Sequence, residues 1–487
     1  MNNINRATFF SRAMKIATCS FACLSFFGCS ASSPDEDTTH ESHKAEQTIA
    51  AVSTSEMPAD LTSSTERKPN IIFIFADDWG YGDLSLHGSD FVETPNLDAM
   101  AKEGIDFAHF TVNSPVCSPS RTAVMTGQFP ARHRIHQHFA SPKANKARGM
   151  PDWLDTNIPL LPKLLKNAGY KTGHFGKWHL GASNDAPLET EYGYDEYATF
   201  SGSNTHPVEI ASLSSVYRVE DFIQRHKDQP FFINMWLHET HLPHLPLNEY
   251  MEKFDHLDEQ KQVYAAVVAD GDAAVGRVLS LLKKLNIDDN TLVVFSSDNG
   301  PEFARDESAK EHHGKKKGLG GYYSVGETGG LKGEKRSLYA GGIRVPFIVR
   351  WPGKVPAGRI DRTSVLTAVD LLPTFLEVAG VPLPENFSPD GETILPAFLG
   401  QPFERSKPIY WEWLGPKERA STWPRLGIRD GRWKLILNHN RQRLELYDLN
   451  ADWAESQDVS AEYPDVVQHL SEKLASWKAS LPPSPEQ

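Results

Sequence analysis

Strands covered on both faces leave unbroken apolar runs, and the chain carries four: Asn70–Phe75, Pro230–Leu237, Thr291–Ser296 and Val345–Arg350. Each is rich in β-branched and aromatic residues and too short for a typical helix, which predicts strands buried in a parallel sheet. Between them lie helical patterns. In Thr94-Pro95-Asn96-Leu97-Asp98-Ala99-Met100-Ala101 a threonine precedes proline, the order found at helix starts. Leu160–Ala168 and Val263–Leu285 also read as helices, the second with apolar positions about 3.6 residues apart. Strands alternating with helices predict an α/β fold: a large mixed, mostly parallel sheet sandwiched by helices.

After about residue 400 the texture changes. Leu426–Arg429, the Asp430-Gly431 pair and Trp433–Leu437 read as a hairpin on an Asp-Gly turn, and Leu444–Leu449 supplies a third strand. A last amphipathic helix places Val467, Leu470, Leu474 and Trp477 on one stripe. The expected organisation is a large α/β domain over 70–400 and a smaller antiparallel α+β subdomain over 401–487.

The N-terminus reads differently. Arg6, Arg12 and Lys15 precede the apolar run Ile16–Gly28, and Cys29-Ser30-Ala31-Ser32 follows, the order of a secretory leader over 1–29. Leu24-Ser25-Phe26-Phe27-Gly28-Cys29 resembles a bacterial lipobox, although Phe26 and Phe27 depart from it; plain cleavage nearby is the alternative. The run is too short for a retained span, which needs about 18 residues. Residues 30–69 are rich in Ser, Thr, Glu and Asp without apolar periodicity, as in a solvated tether. These features predict an exported protein, periplasmic or held at the outer membrane of a bacterium by lipid.

The 487 residues carry 50 Lys and Arg against 63 Asp and Glu, a net charge of −13, which argues against nucleic-acid binding. At 39% hydrophobic the chain is no disordered polymer. Its four cysteines are Cys19, Cys23, Cys29 and Cys117. Removal or lipidation of the leader leaves Cys117 as the one free thiol, so no internal disulfide is available. In an oxidising compartment such a cysteine is an accident or a reagent.

Chemistry concentrates where the predicted strands end, the position at which open α/β sheets hold ligands. Asp77-Asp78 follows the first run and Asp298-Asn299-Gly300 follows the third. Either pair alone is more often a turn or a helix cap. Together they offer three carboxylates and an amide oxygen, a set that selects a hard cation, Ca²⁺ or Mg²⁺.

Cys117-Ser118-Pro119-Ser120-Arg121, followed by Thr126-Gly127, resembles the C-x-P-S-R signature of the type I, formylglycine-dependent sulfatases of the alkaline phosphatase superfamily. The resemblance runs from Asn70 to about Leu481. It includes Ala76-Asp77-Asp78, Gly176-Lys177-Trp178-His179-Leu180-Gly181, Asp298-Asn299-Gly300, Gly341-Gly342-Ile343-Arg344-Val345-Pro346 and Trp351-Pro352-Gly353. One departure is Ala340, where many members carry Glu before the Gly-Gly pair.

The resemblance implies an alkaline phosphatase-like fold, a catalytic domain over 70–400 and conversion of Cys117 to formylglycine. That conversion requires a formylglycine-generating or anaerobic sulfatase-maturating enzyme as partner. The hydrated aldehyde attacks sulfur with one hydroxyl, and the other expels sulfate as the aldehyde reforms. Asp77, Asp78, Asp298, Asn299 and the side chain at 117 are implied as ligands of Ca²⁺, which orients the nucleophile and polarises sulfate. Arg121 is implied to hold the hydroxyls and local negative charge. Lys177 and Lys335 are implied to face the sulfate, with Lys332 as the competitor of Lys335. His179, two residues from Lys177 and on the same face of an extended segment, matches the group that takes a proton as sulfate leaves. His241, in His238-Glu239-Thr240-His241-Leu242-Pro243-His244, matches the general acid to the leaving alcohol. Ser203 and His244 are expected to touch substrate, and His238 is left to the pocket or to packing.

Further segments expected around the pocket are His133–His138, Ser201–His206, Glu311–Lys317 and Tyr410–Trp413. Their aromatic and basic groups suit a sulfated sugar. Tyr322-Tyr323-Ser324-Val325-Gly326 and Lys335-Arg336-Ser337 resemble bacterial polysaccharide sulfatases that act on algal galactans such as carrageenan. The rival readings are a phosphate or phosphonate ester hydrolase of the same superfamily, and a non-catalytic glycan-binding lipoprotein.

Overall fold

Strand β1 (Asn70–Ala76) is buried along its whole length, and its side chains divide between two cores. Ile71, Phe73 and Phe75 join one hydrophobic cluster, while Ile72, Ile74 and Ala76 join the other. The period-2 alternation of a strand thus sends apolar residues into both faces of one sheet. The computed structural model describes residues 67–181, 183–200, 212–313, 318–415, 424–438 and 442–483. The leader ending at Cys29, nearly all of the expected tether, Ser203 and the Lys315–Lys317 run lie outside them.

The remaining strands are β2 (Ile105–Phe107), β3 (Phe110–Thr111), β4 (Lys171–Lys177), β5 (Glu196–Phe200), β6 (Phe231–Trp236) and β7 (Thr291–Ser297). They continue with β8 (Phe347–Arg350), β9 (Arg359–Asp361), β10 (Leu366–Thr367), β11 (Ile409–Glu412), β12 (Leu426–Asp430), β13 (Trp433–Leu437) and β14 (Leu444–Asp448). The large sheet has eight strands in the order β5-β4-β6-β1-β7-β8-β2-β9. Pairing is parallel from β5 through β7, antiparallel at β7–β8 and β8–β2, and parallel again at β2–β9. This is the mixed, mostly parallel sheet expected from the sequence. β8 begins two residues later than its apolar run because Pro346 has no N–H for a ladder.

One face of the sheet carries the helices Cys117–Thr126, Leu161–Asn167 and Leu371–Val378, and the other carries Pro95–Lys102, Ser212–His226 and Glu259–Lys284. The 26-residue helix Glu259–Lys284 is capped by Asp258, whose carboxylate accepts from the backbone of Gln260 and Lys261.

The four-stranded antiparallel sheet β11-β12-β13-β14 follows, with the hairpin closing at Asp430↔Trp433 around Gly431, whose φ is +55°. Its helix Pro464–Ala479 buries Leu470, Leu474 and Trp477, which belong to the same cluster as Phe73 and Phe75. Tyr410–Trp413, expected around the pocket, instead forms most of strand β11 and the residue after it. Tyr410 stacks on Trp477 at 4.8 Å, and Trp411 Nε1 donates to the Val112 carbonyl at 2.8 Å, so these rings are occupied in packing. Among the described residues no helix is long and apolar enough to cross a membrane.

Candidate active site

Four adjacent parallel strands, β4, β6, β1 and β7, end at one edge of the sheet. Their exits deliver Lys177, the His238–His241 turn, Asp77-Asp78 and Asp298-Asn299 to one place. Asp78 takes a left-handed φ of +65°, which turns the chain sharply enough to bring successive carboxylates to one site. The opposite wall needs glycine: a Cβ on Gly300 would lie 1.8 Å from the Gly341 carbonyl oxygen. Gly300 N–H instead donates to the Gly342 carbonyl at 3.0 Å, so the Gly341-Gly342 pair packs backbone to backbone beneath Asp298-Asn299.

Cys117 opens the helix Cys117–Thr126 and is buried. Its Sγ lies 3.6 Å from Asp77 Oδ1 and 3.4 Å from Lys177 Nζ. Burial pushes the thiol up to about 12 despite the lysines Lys177 and Lys335, so at neutral pH it stays protonated. Donor atoms of Asp77, Asp78, Cys117 and Asp298 all lie within 4.8 Å of one another. Asn299 Nδ2 donates to Asp78 Oδ1 at 2.6 Å, which fixes the amide, and its buried Oδ1 has no hydrogen-bond partner. An unpaired acceptor among three carboxylates fits a hard cation.

Three cations balance the three carboxylates. Arg121 Nε and Nη2 donate to Asp298 Oδ2 at 3.0 and 2.6 Å, and its guanidinium stacks over Trp236 at 4.8 Å. Lys177 Nζ binds Asp77 Oδ2 at 2.5 Å, and Lys335 Nζ binds Asp78 Oδ2 at 2.5 Å. Burial opposes the charge on Asp77, but Lys177, His241 and His238 outweigh it and hold its carboxyl well below the usual range. Burial, then neighbouring Asp77, push Asp298 up to about 7 in spite of Arg121. With all three carboxylates ionised the three cations balance them, and a dication would leave the site net positive, the sign an anionic ester requires. Lys332 does not compete for this place. Its Nζ donates to Tyr447 Oη at 2.9 Å and lies over the Tyr339 ring, facing the C-terminal sheet.

The two histidines have assignable tautomers. A carbonyl only accepts, so His179 Nε2–H donates to Phe139 O at 3.1 Å, leaving Nδ1 as a buried, unpaired acceptor. The Phe139 loop is itself tied to the signature helix, because Ser118 Oγ accepts from Phe139 N at 3.0 Å. His241 Nδ1–H donates to Leu242 O at 2.8 Å. Burial and then Lys177 lower both imidazoles well below the ordinary histidine value. The shared extended face expected for Lys177 and His179 is a correction: β4 ends at Lys177 and His179 has φ +57°, so a left-handed turn, not alternation, aims the ring.

His244, expected to touch substrate, is also corrected. Its backbone pairs in both directions with Leu319, at 2.9 and 3.0 Å, and its buried Nε2 meets Ser324 Oγ at 3.1 Å. This pairing turns the ring into packing. His238, left between pocket and packing by the sequence, reaches the acidic cluster: its Nδ1 lies 2.5 Å from Asp77 Oδ2 and its ring stacks on His241. The signal for it was the His-x-x-His spacing directly after a strand.

From His241 a cleft of about 790 Å³ opens between Glu302, Phe303, Arg305, His312 and Arg336. Ligand sites typically run to roughly 300–1,000 Å³, so there is room for far more than a sulfate group. Arg336 grips Glu302 through both Nη atoms, and Lys335 lies 3.8 Å away. Burial raises Glu302, but Lys335 and Arg336 prevail and hold it at about 2. A carboxyl depressed in this way adds stability above its unfolded value of about 4.3. That contribution is lost as pH falls through about 2. In Glu302→Gln the deficit in Tm should be full above about pH 5 and shrink toward zero as the medium is acidified to about pH 2. Melting curves across that range check this; a deficit constant with pH rejects the ionic account.

The sulfatase family profile matches residues 69–381, and the profile of the N-sulphoglucosamine sulphohydrolase C-terminal region matches 326–480. The chain is 34% identical over 389 residues to N-acetylgalactosamine-6-sulfatase of Canis lupus familiaris, covering 70% of this chain and 68% of that one. It is 28% identical over 507 residues to N-acetylgalactosamine-6-O-sulfatase of Bacteroides thetaiotaomicron, covering 85% and 93%. Among solved structures it resembles Ps i-CgsB in complex with k-i-k-neocarrahexaose, with a TM-score of 0.70 and 30% identity over 84% of this chain and 93% of the other. An acidic cluster, a buried signature cysteine and paired lysines at one sheet edge, matched over most of the chain, place the protein in the sulfatase family as a sulfuric ester hydrolase.

Proposed function

We propose that this sulfatase removes sulfate from galactose-type sugars of a sulfated glycan, with residue 117 acting as formylglycine beside a bound calcium ion. The observation that carries the reading is the meeting of Cys117 with Asp77, Asp78, Asp298, Asn299, Lys177 and Lys335 at the ends of four strands. The galactose-type substrate is supported by relatives named for N-acetylgalactosamine and by the likeness to a structure holding a neocarrahexaose. The leader and tether support export, with lipid attachment at Cys29 and maturation of Cys117 by a dedicated enzyme.

Asp77, Asp78, Asp298, Asn299 and the side chain at 117 would hold the cation. Bound there, calcium supplies Lewis-acid polarisation and a template for the incoming ester. Lys177 and Lys335 swing from their carboxylates to the sulfate oxygens, meeting the charge spread over them in the transition state. Arg121 stays on Asp298 and keeps that carboxylate in place. His241 gives a proton to the departing sugar oxygen; the anionic ester offsets the repulsion from Lys177 and raises the imidazole toward the value this needs. His179, with Nδ1 open, accepts a proton as sulfate leaves.

The test is sulfate release by matured enzyme from 6- and 4-sulfated galactose, 6-sulfated N-acetylgalactosamine, carrageenan oligosaccharides and 6-sulfated glucosamine, beside nitrophenyl sulfate and nitrophenyl phosphate. Turnover confined to galactose-type sulfates is expected. Faster phosphate than sulfate cleavage, or preference for the glucosamine ester, overturns the substrate assignment.

Asp78→Ala or Asp298→Ala removes one oxygen ligand and leaves the other carboxylates facing each other. Activity should fall by at least roughly 10²-fold, the worth of one preorganised electrostatic contact. Elemental analysis should find calcium in the parent and not in the variants. Stoichiometric zinc with neither calcium nor magnesium rejects the oxygen-ligand set.

A further inference from the structure

We propose that His238 is a positioning residue with two separable tasks: its Nδ1–H holds the Asp77 carboxylate, and its ring fixes the plane of His241. The proposal rests on the calcium and general-acid reading above. The His238 ring is 1% exposed, and its Nδ1 lies 2.5 Å from Asp77 Oδ2. Asp77 Oδ2 already accepts from the Lys177 ammonium, so the proton of the second contact sits on the histidine nitrogen and the imidazole donates. Lys177 Nζ reaches the same oxygen at 2.5 Å. Two donors on Oδ2 turn Oδ1 toward Cys117, 3.6 Å from its Sγ. The Thr240 hydroxyl donates to the Asp77 backbone carbonyl, so the turn after β6 grips Asp77 by main chain and side chain together.

The two donors differ in permanence. Lys177 is needed by the sulfate and leaves Oδ2 when substrate binds. His238 cannot follow, because its ring is clamped between the edge of Phe200 at 5.1 Å and the face of His241 at 4.6 Å, with 25° between the imidazole planes. It therefore keeps the metal-facing carboxylate oriented while Lys177 is away, as the outer partners of metal ligands do. The same stack limits rotation of His241, whose proton transfer requires a fixed direction. Asp77, His238 and His241 also offer donors within 4.8 Å of one another, but the Lys177 ammonium on the shared oxygen opposes a second cation there.

Two substitutions divide the tasks. His238→Asn keeps an N–H donor near the place of Nδ1 and removes the ring; His238→Phe keeps a ring and removes the donor. Calcium affinity is measured on metal-stripped full-length protein by chelator competition, and kcat and KM on one sugar sulfate and on nitrophenyl sulfate. His238→Phe should weaken calcium about 10–100-fold and leave the ratio of sugar to nitrophenyl kcat near that of the parent. His238→Asn should bind calcium within a few fold of the parent while its sugar kcat drops roughly tenfold more than its nitrophenyl kcat. Equal losses of both properties in both variants, or no change of either, overturn the assignment. A parent that binds no calcium refutes the metal half of the proposed function, and the sugar-to-nitrophenyl ratio of the two variants then decides the role of His238 alone.

Discussion

Cys117→Ala is expected to abolish sulfate release, and Cys117→Ser to do the same in a host that does not modify serine. The tryptic peptide Glu103–Arg121 of the active protein should be lighter by about 18 Da than its cysteine form, the mass lost when –CH2SH becomes a free –CHO. The physical ground is the state of the thiol. Burial pushes Cys117 up to about 12, beyond what Lys177 and Lys335 recover, so an unmodified side chain is a protonated and poor nucleophile at neutral pH. A thiolate that did attack sulfur would also have no internal group to expel the sulfate. A geminal diol has one, because its second hydroxyl collapses to the aldehyde as the sulfate departs. Intact mass, peptide mapping and turnover on one preparation decide the matter. Full activity with an unmodified thiol refutes the nucleophile assignment.

Much of this architecture is legible in the chain because its central strands are buried on both faces. β1, β6 and β7 announce themselves as unbroken apolar runs, and the acidic pairs sit where those runs stop. The C-terminal hairpin is legible from Asp430-Gly431 alone. β2, β3, β9 and β10 are not, since strands of two or three residues carry no period and exist through their partners. The reversal of β8 is likewise a tertiary fact. In the site, local motifs disclose residue types but not their aim. Spacing leaves Lys332 and Lys335 in competition, and only the fold sends one to Tyr447 and the other to Asp78. His238 and His244 look alike in sequence, six residues apart, yet one holds the Asp77 carboxylate and the other packs against Ser324.

His241→Ala and His179→Ala should fail at different steps, and substrates with different leaving groups expose the difference. When an alcohol departs from sulfate its oxygen gains negative charge, and the barrier depends on how far that charge is quenched. A sugar alkoxide is a poor leaving group and needs the proton; nitrophenolate is stable enough to leave largely without it. His241→Ala should therefore slow sugar sulfates by roughly 10²–10⁴-fold while costing nitrophenyl sulfate far less. The geometry favours this residue, because its Nδ1–H is committed to the Leu242 carbonyl and its other nitrogen is left for the ester, at the mouth of the cleft. His179 is committed in the opposite sense: Nε2–H is held by Phe139, and the unpaired Nδ1 is an acceptor. Its loss should slow the release of sulfate from the protein, a step that no longer contains the leaving alcohol. The penalty should then be the same for sugar and nitrophenyl esters, and protein carrying covalent sulfate should accumulate. Turnover of both variants on one ester of each kind, with intact mass taken during the reaction, reads both quantities. Equal penalties for the two esters in His241→Ala, or sulfated protein building up in that variant instead of in His179→Ala, would reverse the two assignments.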